Sequence, residues 1–277
     1  MYKLIALDMD GTLLKEDKTI SKENYEAIQS AREKGVKIVL TTGRPKKGIE
    51  NYLEKLDLVD DDEYCITYNG SLIENSKTGE ILTKTLMTLD DAHFLYELSK
   101  KLDVDIHALT TKGCISPRYN KYTELEVSMN NIHFEEVDFN TIDPSTEIVK
   151  FLFVGSEEKI SSVIEQLPKE LYEKYTIVRS YPLFLEFLDK NVSKGAAVKT
   201  LAERLGIKQS EVICIGDAGN DIHMIQYAGL GVAMGNAFPE VKKAANYITL
   251  TNEEDGVAHI IDKFILSDFE LDLLLNS

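Results

Sequence analysis

Residues 3–14 read KLIALDMDGTLL. The first six are apolar nearly throughout, the pattern of a strand buried on both faces in a parallel sheet. Asp8 and Asp10 stand at its C-terminal end, where open α/β sheets bind their ligands. In a continuing strand, residues two apart share a face. Two carboxylates held close together repel unless a cation or a shared proton intervenes. Gly11 lets the backbone turn tightly behind them. Two solvated acids in a turn remain the plain structural alternative for this stretch taken alone.

Outward from this segment the chain alternates. A helix is expected over 22–34, with Ser21 as N-cap, Asn24 at the capping-box position and Gly35 as its stop. A second buried strand follows at 36–42, then a helix beginning near Pro45, then a third strand, CITY, at 65–68. This rhythm predicts right-handed βαβ units and a parallel sheet. From about 82 to 190 the pattern changes to an α+β mixture. Its expected helices are 89–101, 157–166 and 168–174, and its strands 105–110, 147–154 and 184–188. After 190 the first rhythm returns, with helices at 194–205, 220–228, 238–244 and 255–265 and strands at 211–216, 229–234 and 246–250. One α/β domain, 1–81 with 191–277, is therefore expected to enclose an inserted domain, 82–190. The acidic, amphipathic tail SDFELDLLLNS either continues the last helix or packs on the surface.

Composition narrows the function. The 277 residues carry a formal charge of −16, which disfavours binding to nucleic-acid backbones or anionic membranes. An anionic substrate needs local positive charge to approach such a chain. Of the three cysteines, Cys65 and Cys214 lie in apolar strand-like runs and Cys114 lies elsewhere, with no CxxC spacing. They read as buried free thiols of a reducing compartment. With no leader-like start and no membrane-length apolar run, a soluble cytoplasmic protein is expected.

Three more segments carry chemistry. Thr41-Thr42-Gly43-Arg44 ends the second strand, where a hydroxyl and backbone N–H groups entering a helix make a phosphate cradle; a simple N-capped turn is the alternative. Ser193 is a good N-cap, which puts Lys194 in the first helical turn, against the helix dipole. An anionic partner would explain it. Gly216-Asp217-Ala218-Gly219-Asn220-Asp221 again follows a buried strand and opens a helix. Its acids suit a hard cation, or cap the helix.

With these four segments in order, DMDGTLL (8–14), LTTGRP (40–45), VSKGAAV (192–198) and GDAGND (216–221), the chain resembles the haloacid-dehalogenase (HAD) superfamily over essentially its whole length. More closely it resembles the Cof-type, YidA-like sugar-phosphate phosphatases, whose pattern YCITYNGSLI (64–73) also matches. The resemblance implies a Rossmann-like parallel-sheet core with an inserted C2-type cap. It implies Asp8 as nucleophile forming an aspartyl-phosphate. Asp10 is the implied acid that protonates the leaving alcohol and then activates water. Mg²⁺ is implied at Asp8, the Asp10 backbone carbonyl and Asp217. Asp221 either ligates the metal or orients its waters. The phosphoryl group is implied to rest on Lys194, Thr42 (with Thr41 a competitor), Asn220 and the amides of Met9 and Gly43. Arg44 and Asn69 lie on core loops that could face the cap. The expected partner is a small phosphorylated metabolite.

Other signals carry less. None of the five histidines has paired metal spacing, and His223 is not expected to reach the site. No GxxxxGK[ST] loop or strand-following GxGxxG exists. The Tyr-rich stretch 118–122 is read as cap core rather than a sugar site, and the loop around Gly229–Gly231 receives no role. Two other functions stay open: a phosphotransferase or phosphomutase with the same covalent chemistry, and an inactive phosphometabolite-binding regulatory protein. An intact Asp10 argues against the latter.

Overall fold

Leu4–Leu7 and Val212–Gly216 are buried at every position, so they need a sheet covered on both faces. The computed structural model, which describes residues 1–267, places them side by side in a five-stranded sheet. Its order is Tyr247–Ile248, Leu230–Ala233, Val212–Gly216, Leu4–Leu7, Lys37–Leu40, and every pairing is parallel. From Leu7 the chain crosses to one side of the sheet; from Gly216 it crosses to the other. The strand order therefore reverses between these two strands, and open α/β sheets bind ligands beyond the C-terminal ends at such a point.

The chain divides into two compact units. The first holds Met1–Thr42, Glu50–Leu82 and residues 193–267; the second holds Gly43–Ile49 and Thr83–Val192. In the first unit, helix Lys194–Arg204 lays Ala197, Val198 and Leu201 against Ala6, Val39 and Cys214 of the sheet. Ser21 caps helix Lys22–Glu33 by accepting from the Asn24 amide at 3.1 Å. Asn24 is itself buried, its Oδ1 accepting from the Ala258 amide at 2.9 Å.

Several expectations need correction. The strand expected at 65–68 runs Tyr64–Thr67 and is not a full member of the parallel sheet. It touches that sheet through one bridge, Thr41 to Ile66, and otherwise pairs antiparallel with Leu72–Asn75. A turn at residues 68–70 folds it back before a crossover helix can form. The helix expected near Pro45 is a short 3₁₀ turn, Lys46–Gly48, followed by helix Glu50–Lys55. The last helix is α-helical over Gly256–Ile261 and widens to a π-helix over Asp262–Leu266. The tail from residue 268 lies outside the described residues. Among the described residues no helix is long and apolar enough to cross a membrane. All three cysteines are buried free thiols.

The second unit is a six-stranded sheet in the order Tyr175–Tyr181, Phe184–Asp189, Ile148–Val154, Asp105–Thr110, Gly113–Ser116, Phe134–Glu136. One face carries Ile106, Ala108, Phe151, Phe153 and Phe187, packed in one apolar core with Leu95 of helix Leu89–Lys101 and Ile160 of helix Glu157–Gln166. Thr88 and Asp91 form a reciprocal capping box at the first of these helices. The opposite face mixes buried apolar and polar side chains. The register pairs Leu109 with Lys150, and Leu152 with both His107 and Glu186. His107, Lys150 and Glu186 therefore share that face, and all three are buried. Helix Lys121–Asn130, which the sequence pattern did not reveal, turns Thr123, Glu126 and Asn130 inward. The stretch 118–122 is not core: Tyr119 is 46% exposed, resting edge-on against Phe134, and Arg118 pairs with Asp105 at 2.5 Å. Pro117 carries the chain out of the sheet there, toward the Asn120 cap of that helix.

The Lys150 ammonium pairs with Glu186 at 2.7 Å. Burial therefore dominates at Glu126. It pushes the Glu126 pKa up to about 7, opposed by the Lys150 charge and reinforced by Glu186. Below its unfolded value, near 4.5, Glu126 is protonated in both states and costs nothing. Between that pH and about 7 only the unfolded chain ionises, so stability falls as pH rises and then levels. Glu126→Gln keeps an acceptor for Asn130, which donates to Glu126 at 3.0 Å. The difference in unfolding free energy between variant and wild type, followed by urea denaturation, is expected to grow from pH 4.5 to 7 in favour of the variant. Its ceiling is about 3 kcal/mol. A difference that does not change with pH contradicts the assignment.

Candidate active site

Asp8 and Asp217 follow the two strands that flank the reversal of strand order. The parallel ladder runs one step beyond Leu7, with the Asp8 amide donating to the Ile215 carbonyl at 3.0 Å. The strand then ends, and Met9–Thr12 form a turn instead of a continued pleat. Asp8 and Asp10 therefore do not make the close pair. Asp8 is 7% exposed and turned inward. The Asp10 side chain is 41% exposed and accepts from Lys18 at 2.8 Å. The acids that converge are Asp8, Asp217 and Asp221, with one carboxylate oxygen of each within 4.8 Å of the others.

Lys194 holds this cluster together. Ser193 caps its helix by accepting from the Ala196 amide, which fixes Lys194 at the first helical position. Its ammonium is fully buried and donates to Asp8 Oδ1 at 2.5 Å and Asp221 Oδ1 at 2.7 Å. Burial disfavours the ammonium, but Asp221 and Asp8 outweigh that effect, and its pKa rises above the ordinary value. The anionic partner that the sequence position called for is thus this pair of carboxylates.

Asp221 is a framework group as well as an acid. Its Oδ2 accepts from the amides of Asp217 and Ala218, both at 3.0 Å, and so shapes the loop that presents Asp217. The Asp217 carboxylate accepts from Thr12 Oγ1 at 3.0 Å and lies against Gly11. A Cβ on Gly11 would come within 2.5 Å of Asp217 Oδ2, and Gly11 sits at φ +83°. Only glycine allows that approach without strain.

The donor set fits a hard divalent cation. It consists of carboxylate oxygens, with no thiolate or imidazole. Three acids face a single ammonium. Burial first, then Asp221, raises the Asp8 pKa well above the carboxylate range. The same two causes raise Asp217 to about 6. Full ionisation of these acids therefore calls for further positive charge, which an oxygen-binding cation supplies.

The remaining residues lie as follows. Thr41 is buried; its amide donates to Leu7 O and its hydroxyl to Val39 O at 3.4 Å. Thr42 is also buried, at the end of the first unit's first segment, and its amide donates to Ile66 O. Gly43 and Arg44 open the segment grouped with the second unit. The Met9 side chain is buried in the core, so only its main chain can serve a ligand. Asn220 lies in a 3₁₀ turn and donates through Nδ2 to Asn69 Oδ1 at 2.9 Å. Asn69, expected on a core loop that could face the cap, is 4% exposed and accepts this bond within the first unit. His223 is an exposed residue.

Two supports escaped sequence reasoning. Thr12 lies within DMDGTLL, where nothing in the pattern marks it as the partner of Asp217. Asn236 donates to the Gly11 carbonyl at 2.8 Å, while the Phe238 amide donates to Asp217 O at 3.1 Å. The 234–238 loop thus braces both acid-bearing turns. A lone Asn after a short apolar strand carries no chemical signature, and nothing in the sequence marks it.

Comparison with known proteins places this arrangement. Residues 5–261 match the haloacid dehalogenase-like hydrolase family. The Bacillus subtilis (strain 168) protein YxeH is 44% identical over 271 residues, covering 96% of this chain and all of the relative. The 5-amino-6-(5-phospho-D-ribitylamino)uracil phosphatase YcsE of the same organism is 37% identical over 265 residues, covering 95% and 96%. Among solved structures, a haloacid dehalogenase-like hydrolase from Bacteroides thetaiotaomicron superposes with a TM-score of 0.84 at 37% identity, covering 96% of this chain and all of that one. The HAD subclass IIB sugar phosphatase BT4131 superposes with a TM-score of 0.77 at 28% identity, covering 95% and 98%. The chain belongs to the haloacid dehalogenase-like hydrolase family, and within it is a phosphatase.

Proposed function

We propose that the protein hydrolyses small phosphomonoesters, sugar phosphates foremost, through an aspartyl-phosphate on Asp8, with Mg²⁺ as cofactor. The single observation that carries the reading is the buried Lys194 ammonium held between Asp8 and Asp221, with Asp217 beside them. Further support comes from the family match and from the sugar phosphatase among the structural neighbours. We read 1–81 with 191–277 as the catalytic core and 82–190 as its C2-type cap. The three buried thiols fit a cytoplasmic setting.

Asp8 acts as the nucleophile: a carboxylate oxygen bonds to phosphorus as the bond to the leaving alkoxide breaks. Asp10, partly exposed, gives its proton to the leaving oxygen. The resulting carboxylate then takes a proton from water, whose oxygen attacks phosphorus, and phosphate leaves as Asp8 is regenerated. Lys194 remains charged and offsets charge on the phosphoryl oxygens. The Thr42 hydroxyl serves that group in preference to Thr41, whose hydroxyl donates to Val39 O. The Asn220 amide and the Met9 and Gly43 N–H groups complete the cradle. Asp8, Asp217 and the Asp10 carbonyl would hold Mg²⁺, with Asp221 supporting them. When bound, the cation offsets the carboxylates' repulsion and polarises the phosphoryl group.

Phosphate release from a panel of sugar phosphates and 5-amino-6-(5-phospho-D-ribitylamino)uracil tests the reading. Release is expected with Mg²⁺, and is expected to vanish in EDTA and in Asp8→Asn. Full activity in Asp8→Asn would sink it. Consumption of substrate without stoichiometric phosphate release would turn the reading toward a phosphotransferase or phosphomutase.

Lys194→Met leaves Asp8 and Asp221 buried without their cation. Its expected cost is about 3–5 kcal/mol of stability by urea denaturation in EDTA, with turnover lowered on the order of a hundredfold. A variant that keeps both wild-type stability and turnover would show that the ammonium is dispensable.

A further inference from the structure

Tyr68, Asn69 and Gly70 form the turn between strands Tyr64–Thr67 and Leu72–Asn75, and all three have positive φ: 49°, 58° and 102°. Left-handed backbone is unfavourable for an aromatic residue and only tolerable for asparagine. Such strain persists where the surroundings over-determine it, and it concentrates at functional sites. This turn is also buried, with Tyr68 5% and Asn69 4% exposed. Hairpin turns ordinarily sit at the surface. A plain connection between two strands needs neither feature.

Within the first unit the turn reaches three of the four motif loops. The Asn69 amide donates to the Thr42 carbonyl at 2.9 Å. The Asn69 side-chain oxygen accepts from Asn220 Nδ2 at 2.9 Å. A Cβ on Gly70 would lie 2.4 Å from the Ser193 carbonyl oxygen and 3.1 Å from the Lys194 amide nitrogen. So the turn packs on the backbone from which Lys194 projects, and only glycine allows that approach.

We infer that Asn69 is a positioning residue: it holds the Asn220 amide and the Thr42 backbone in the arrangement that receives the phosphoryl group. The inference rests on the phosphatase reading above and deepens it. A primary amide carries two N–H groups on one nitrogen. With one donated to Asn69, the Asn220 side chain is fixed and the direction of the other is set before phosphate arrives. Ordering of that kind lowers the entropy that binding must otherwise overcome. Asn69 touches no reacting atom in this role; it acts through Asn220. The left-handed backbone at residue 69 puts the side chain and the amide of one residue on two different motif loops.

A double-mutant cycle tests this. Asn69→Gly removes the side-chain acceptor while suiting a φ of 58°, so the turn and its bond to Thr42 are retained. Asn220→Ala removes the group it is said to hold. In the wild-type background, Asn69→Gly is expected to raise KM and the inhibition constant of inorganic phosphate about tenfold, the effect of one hydrogen bond to an anion. In the Asn220→Ala background the same substitution is expected to change either constant less than about twofold. The thermal midpoint of Asn69→Gly is expected to stay near wild type. Equal losses in both backgrounds overturn the inference, as does no loss in either. A large drop in the thermal midpoint also overturns it, because Asn69 would then be holding the hairpin together. Turnover by the wild type in the same assay separates the two readings. An inactive wild type defeats the phosphatase reading, whereas an active one with additive losses defeats only the role of Asn69.

Discussion

A lysine ammonium buried between two carboxylates is the constraint on which the rest of this site depends. Lys194 stands where a helix dipole opposes it and water cannot reach it. Only Asp8 and Asp221 make that position tenable, and neither carboxylate could be buried so deeply without it. One ammonium cannot offset two ionised carboxylates, and Asp217 brings a third acid beside them. The cluster is stable as a folded element yet incomplete in charge. That combination is what a site for a cation and a phosphate ester requires.

The sheet sets the stage for this pair interaction. Leu4–Leu7 and Val212–Gly216 are adjacent parallel strands, and the chain leaves them in opposite directions. Loops after both strands can then converge without a helix crossing between them. The convergence is reinforced by contacts that do no chemistry. Thr12 orients Asp217, Asp221 ties down two amides of its own loop, and Asn236 anchors Gly11. The second unit follows a different economy. Its sheet has one apolar face and one face bearing buried charge, where Lys150 and Glu186 satisfy each other. Burying such a pair adds little stability.

Much of this was legible in the sequence, and for physical reasons. The buried parallel strands announce themselves as continuous apolar runs, and Ser21 and Ser193 mark helix starts because their hydroxyls satisfy otherwise orphaned amides. Motifs that place Asp8, Lys194 and Asp217 carry unusual residue types at strand and helix ends. Less was legible where polarity and burial part company. Helix Lys121–Asn130 turns Thr123, Glu126 and Asn130 inward, so it has no apolar stripe to read. The strands Leu72–Asn75 and Gly113–Ser116 are four residues long, too short for a periodic signal. The turn at 68–70 defeated the expected crossover because its left-handed backbone is dictated by neighbours distant in sequence. Asp221 showed its acidity but not its partners, since those depend on where Lys194 lands.

The central claim is that Asp8 is the atom donor to phosphorus. Rapid quenching of the Asp10→Asn enzyme with Mg²⁺ and p-nitrophenyl phosphate, whose leaving group needs no proton, followed by peptide mass mapping, tests it most directly. Without the acid that activates water, the intermediate is expected to accumulate as a phosphoryl adduct on the peptide containing Asp8. An adduct on any other residue, or phosphate release that proceeds without an adduct at Asp8, would contradict the account.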